Sequence, residues 1–198
     1  MAKRRPSRKR PPSSASRVDV RRTSDGRGWM LTHPRCVRDR AEDLEEVREM
    51  VAAGELEVAM DELLWLVEGC GEFIAAHLLM GELALAGGDD LPLARGHFGA
   101  AYQFGLAALR RAGMPSPLPH SHPANTAFFE AGRALAWCLA KLGKLPMAEE
   151  IVDVLVKLDP TDPLELRAML DDVRTGGLPI VELRPAREDP GRESPPAD

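Results

Sequence analysis

Cysteine and the aromatic residues are scarce in this 198-residue chain, which has three Cys, one Tyr, three Trp and five Phe. Cys36, Cys70 and Cys138 are odd in number, far apart and never in C-x-x-C spacing. That usage argues against a disulfide framework and a structural zinc site, and it fits a reducing cytoplasm. Long apolar runs are missing as well. The longest, residues 73–86, carries His77 and Glu82 and stops at 14 residues, short of the ~20 a bilayer-spanning helix needs. It reads as a buried core helix, with no membrane association expected. The basic start runs into Pro11, Pro12 and serines instead of an apolar segment, so no secretory signal is expected. β-branched residues are few: Ile, Val and Thr total 20 against 52 Leu and Ala. Straight-chain and small side chains lose little rotamer freedom in a helix, so the mix predicts an all-α fold without sheets.

Charge is unevenly placed. The net charge is −5, yet residues 1–29 hold ten Lys/Arg against Asp19 and Asp25, leaving −13 for the remainder. Proline, serine, glycine and like charge in that segment leave little to bury, so residues 1–29 are expected to be a disordered basic tail. Lys3, Arg4, Arg5, Arg8, Lys9 and Arg10 form its strongest cluster and are candidate contacts for a polyanion, RNA, DNA or ribosome. No aromatic residue lies within residues 1–28, so base stacking and sequence preference are not expected, only weak non-specific contact. Residues 176–198, with five prolines, form a second disordered tail whose one apolar stretch is Leu178–Leu183.

Between the tails, residues 30–175 form the expected helical domain. Apolar periodicity and turn chemistry predict seven helices, at about 39–53, 56–68, 72–86, 92–111, 126–142, 146–158 and 163–174. Pro92, Pro146 and Pro163 sit where a first helical turn lacks a partner for N–H, with Asp162 as the N-cap before Pro163. Residues 113–125, with four prolines, are a semi-rigid loop.

A period runs through the helices. Turn glycines Gly54 and Gly88 are 34 residues apart, and Gly143 follows after 55, an excess matching the proline-rich insert and a lengthened helix. Leu135, Ala136, Leu139, Gly143, Ala148, Val152 and Leu158-Asp159-Pro160 in the third unit, and Gly81, Ala84, Gly88-Asp89, Ala94, Phe98 and Ala101 in the second, resemble the tetratricopeptide repeat family. The first unit keeps Gly54, Ala59, Leu63 and Leu66. The resemblance places repeats at about 40–71, 74–112 and 126–160, with residues 163–174 as a capping helix. Gly81 and Ala94 stand where antiparallel helices approach closely, and Phe98 fills the space beside them.

The resemblance implies a short solenoid whose first helices line a concave groove for a peptide, hence a non-catalytic adaptor or scaffold without a cofactor. On its register the groove residues are Leu44, Arg48, Leu78, Glu82, Leu85, Arg133, Trp137 and Lys141, with Val51, Ala75 and Glu130 among them. The family's Lys and Asn clamp for a C-terminal carboxylate is replaced by Leu, Ala and Glu in two units, so chaperone-tail recognition is not expected. Apolar anchors flanked by Arg48, Arg133 and Lys141 suit an amphipathic segment with some acidic residues. Leu178–Leu183 is a candidate occupant from the chain itself. The alternative function is a nucleic-acid- or ribosome-associated factor acting through the basic tail.

Nothing else in the sequence carries catalytic chemistry. His120-Ser-His122 and the pair His33 and Cys36 fall short of the three or four converging ligands a zinc site requires. His77 and His97 have no nucleophile in an activating motif near them, and Cys138 reads as an inert buried thiol. Acidic groups at 42–46, 61–62, 149–150 and 171–172 point apart at adjacent helical positions and read as solvated faces. Gly87-Gly88-Asp89-Asp90 lacks the strand and the Lys-Ser/Thr of a phosphate loop and reads as a turn.

Overall fold

The structure, a computed structural model, describes residues 16–88 and 90–176. Helices dominate: α1 (Arg35–Asp39), α2 (Ala41–Ala52), α3 (Leu56–Gly69), α4 (Ile74–Ala86), α5 (Leu91–Arg111), α6 (Pro123–Lys141), α7 (Leu145–Leu158) and α8 (Leu166–Thr175). Each packs on its neighbour along the chain from α2 through α7, and α6 also touches α4 and α8. Short turns make the successive pairs antiparallel, while α4, α6 and α8 come to lie side by side. The prolines predicted to start helices do so in α5 and α7, and Asp90 caps α5 by accepting from the Leu93 N–H at 3.0 Å. Gly54 and Gly143 turn the chain at φ of +84° and +73°, a region in which only glycine is unstrained.

Close approach between α4 and α5 depends on Gly81. A Cβ there would stand 2.4 Å from Cε1 of Phe98, whose ring is buried against the α4 backbone. The small-against-large pairing expected from the sequence is therefore the packing of this hairpin. Two apolar cores result. Leu44, Val47, Ala59, Leu63, Leu66, Phe73 and Met80 close the α2–α3–α4 end. Phe98, Tyr102, Phe128, Leu135, Leu155 and Leu170 fill the rest, with Tyr102 stacked on Phe128 at 5.4 Å between ring centroids.

Several expectations need correction. The first is the absence of sheet and the disorder of residues 1–29. Within the described part, β1 (Asp19–Arg22) and β2 (Trp29–Thr32) form an antiparallel hairpin pairing Val20 with Leu31. Val18, just before β1, and Leu31 of β2 are fully buried and anchor it to the helices. Glu72 accepts from the Val18 N–H at 2.6 Å, and Arg111 donates to the Val18 carbonyl at 2.7 Å. Composition averaged over residues 1–29 hid Val18 among the arginines, and Leu31 lies just past that segment.

Second, Cys36 and Cys70 are joined in a disulfide, leaving Cys138 free and buried. The helical hairpin between them returns the chain to its starting point, so cysteines 34 residues apart end as neighbours. This removes the ground on which a reducing compartment was expected. Third, the last helix begins at Leu166 and not at Pro163. Asp162 and Glu165 adopt φ of +43° and +50° in a tight turn, and Asp162 Oδ1 accepts from the Leu166 N–H at 3.0 Å.

The proline-rich segment does connect α5 to α6 without a helix of its own. Its inward anchor is Leu118, fully buried, whose N–H donates to the Leu158 carbonyl at 2.8 Å. α6 starts earlier than predicted, at Pro123, because the His122 ring accepts from the Ala124 N–H at 3.2 Å. That places Asn125 inside the helix, fully buried.

Candidate functional site

Side-by-side placement of α4, α6 and α8 leaves a furrow open to solvent. Its volume is about 500 Å³, and Leu78, Glu82 and Leu85 of α4, Glu130, Arg133, Ala134 and Trp137 of α6, and Phe98, Leu164 and Met169 line it. The spacing explains the α4 and α6 walls. Residues 78, 82 and 85 recur at i, i+4 and i+7, and 130, 133, 134 and 137 at i, i+3, i+4 and i+7, so each set shares one helical face. Five of the eight groove residues expected from the sequence, Leu78, Glu82, Leu85, Arg133 and Trp137, are thus brought together.

The other three lie elsewhere. Lys141 stands at the end of α6 with Nζ 5.7 Å from the centroid of the Trp137 ring, a cation–π distance at the margin of the furrow. Arg48 is exposed and pairs with Glu45 on its own helix, while its charge still reaches Glu82. Leu44 is a correction: it is buried with Val47, Ala59 and Leu63 in the first core, turned into the α2–α3 packing instead of the groove. Leu164 and Met169, which sequence reasoning assigned to a cap, supply the third wall. Their apolar spacing was visible, but the turn at 162–165 that aims Leu164 into the furrow was not.

Electrostatics in the furrow centres on two carboxylates. Burial pushes the Glu82 carboxyl above its ordinary value of 4.5, the like charge of Glu130 pushes it further, and Arg48 opposes the shift. Among the described residues neither glutamate has an ion-pair partner within 4.0 Å. A raised folded-state pKa means the folded chain holds this proton when the unfolded chain has released it, so this group favours folding below about pH 4.5 and the contribution is lost as pH rises. The Glu82→Gln variant is therefore expected to gain stability relative to the parent between acidic and neutral pH. Chemical denaturation across that range checks it, and superimposable pH profiles would contradict it.

The histidines and the free thiol lie apart from the furrow. His33 Nε2–H donates to the Ala124 carbonyl at 2.9 Å, and burial holds this ring below its ordinary pKa. His77 packs 5.6 Å from Phe104 and 6.0 Å from His97, ring centroid to ring centroid. Burial pushes the Cys138 thiol up to about 11, which leaves little thiolate at neutral pH. No cluster of three or more His, Cys, Asp or Glu side chains among the described residues could hold a metal ion, and no described helix is long and apolar enough to cross a membrane. The polyanion candidates Lys3, Arg4, Arg5, Arg8, Lys9 and Arg10, and the apolar stretch Leu178–Leu183, lie outside the described residues.

No family model, curated protein or solved structure matches this chain. What can be said of its activity rests on its own residues.

Proposed function

We propose that this chain is a tetratricopeptide-repeat-like adaptor that holds an amphipathic peptide or helix of a partner protein in the furrow between α4, α6 and α8, and that it does no chemistry there. The observation that supports this reading is the convergence of Leu78, Leu85 and Trp137 on one open cavity of about 500 Å³, within the range of binding sites for small ligands. Apolar walls supply affinity through area removed from water, and the charged groups Glu82, Glu130 and Arg133 fix register. Half-buried Trp137 combines a large apolar surface with two rotatable bonds, so a bound segment would gain contact area at little ordering cost.

Selection of a displayed random-peptide library on the full-length protein tests the proposal. Peptides recovered are expected to carry apolar residues at helical or alternating spacing. Their affinity should fall at least ~10-fold in Trp137→Ala, a loss of about 1.4 kcal/mol or more. Peptides that bind Trp137→Ala and Arg133→Glu as tightly as the parent would overturn the assignment.

A further inference from the structure

The first helical hairpin carries a second feature, away from the furrow and independent of the function proposed for it. Residues 41–72 contain eleven Asp or Glu and a single basic residue, Arg48. On α3, Ala59, Leu63 and Leu66 turn inward and are fully buried. The opposite face of the same helix is not uniformly polar. Val58, Asp61, Leu64, Trp65 and Glu68 recur at three- and four-residue spacing along it. Val58 and Leu64 are each 50% exposed and Trp65 is 52% exposed.

Single exposed apolar residues are ordinary, but Leu64 and Trp65 line a shared depression, with Val58 one turn before Asp61 on the same helical face. Leu64, Trp65, Asp61 and Glu68 form one side of a shallow hollow of about 810 Å³, and His77 and Phe104 form the other. The Arg40 guanidinium lies 4.3 Å from the centroid of the Trp65 ring and steadies it without covering it. Asp61 and Glu68 have no ion-pair partner within 4.0 Å among the described residues.

We infer that this outer face of α3 is a second docking surface, and that it takes a basic amphipathic helix of a partner protein. The argument is charge complementarity joined to spacing. A helix presenting Leu-like side chains at i, i+3 and i+7 would cover Val58, Leu64 and Trp65, and Lys or Arg on its flanks would meet Asp61 and Glu68. A second copy of this chain is a poor occupant, because a two-fold contact would bring two acidic hairpins face to face. Nucleic acid and anionic lipid are opposed by the same charge.

The probe is a fluorescently labelled 18-residue helix of leucine and lysine in amphipathic order, titrated against the full-length protein by anisotropy. Two controls accompany it: the same composition scrambled to remove the helical period, and the same order with glutamate for lysine. Binding of the ordered peptide is expected to exceed that of either control at least ~10-fold, and the double variant Val58→Ser/Leu64→Ser is expected to reduce it by a similar factor. Both positions are half exposed, so the variant keeps its fold, which its helical circular dichroism checks. Trp137→Ala should leave this affinity within about two-fold of the parent, which separates the surface from the furrow. Equal binding of the scrambled peptide, undiminished binding by the double variant, no binding at all, or a dimer in sedimentation that Leu64→Ser dissociates would each overturn the inference.

Discussion

Reduction of the Cys36–Cys70 disulfide is expected to lower the unfolding free energy by about 3–4 kcal/mol, since a cross-link closing a loop of this length removes that much freedom from the unfolded chain. The closed segment spans 34 residues and contains all of α2 and α3. The loss should concentrate there. Cys70 is 2% exposed and packs with Leu63, Leu66 and Phe73, while Cys36 ties α1 to the same core. The measurement is denaturant unfolding of the parent protein with and without dithiothreitol, with thiols counted in denaturant before reduction. One reactive thiol, Cys138, should be found before reduction and three after it. A midpoint indifferent to reductant would contradict the expectation.

Asn125→Leu is expected to cost about 3 kcal/mol, because one buried side chain satisfies three backbone groups, one buried and two partly buried, and each unpaired buried group costs ~1–3 kcal/mol. Its Oδ1 accepts from the Leu31 N–H at 2.9 Å, and its Nδ2 donates to the Trp29 carbonyl at 3.2 Å and the Pro119 carbonyl at 2.9 Å. The β hairpin, the proline-rich connection and α6 therefore meet at this residue. Leucine keeps the volume and removes every partner. Asn125→Asp should do no better, since a carboxylate keeps the acceptor but faces two carbonyls with no donor. The local consequence is release of the hairpin, so trypsin should cut at Arg21, Arg22 or Arg27 faster in the variant than in the parent. A stability change below about 1 kcal/mol, with cleavage unaltered, would show that the hairpin is held without Asn125, by burial of Val18 and Leu31 and by the Glu72 and Arg111 hydrogen bonds.

The helices were legible because their signals are local. Pro92 and Pro146 mark first turns, Gly54 and Gly143 mark reversals, α4 is a nearly continuous apolar run, and the period-3.6 stripes of α5 to α7 differ from their surroundings over many residues. Gly81 and Phe98 could be paired because a gap and the ring that fills it lie on adjacent helices. The features that were missed depend on distant partners. Val18 and Leu31 mean little until Glu72, Arg111 and Asn125 are placed around them. Cys36 and Cys70 look unrelated until the intervening hairpin brings them together. Asp162 before Pro163 has the composition of a helix start, yet the positive φ at Asp162 and Glu165 delays α8 to Leu166 and frees Leu164 for the furrow.

The same distinction separates the groove residues that converge from the one that does not. Leu78, Glu82 and Leu85, and Arg133 with Trp137, share helical faces fixed by their own spacing. Leu44 satisfies a similar spacing on α2, but the direction of that face is set by α3, whose Ala59 and Leu63 take it into the core.

The central claim is that the furrow between α4, α6 and α8 holds a peptide. Its most direct measurement is hydrogen exchange of the full-length protein with and without a peptide selected on it. The account predicts added protection in residues 78–86, 130–141 and 164–170, lost in Trp137→Ala. Protection that spares all three segments while the peptide is bound would contradict it.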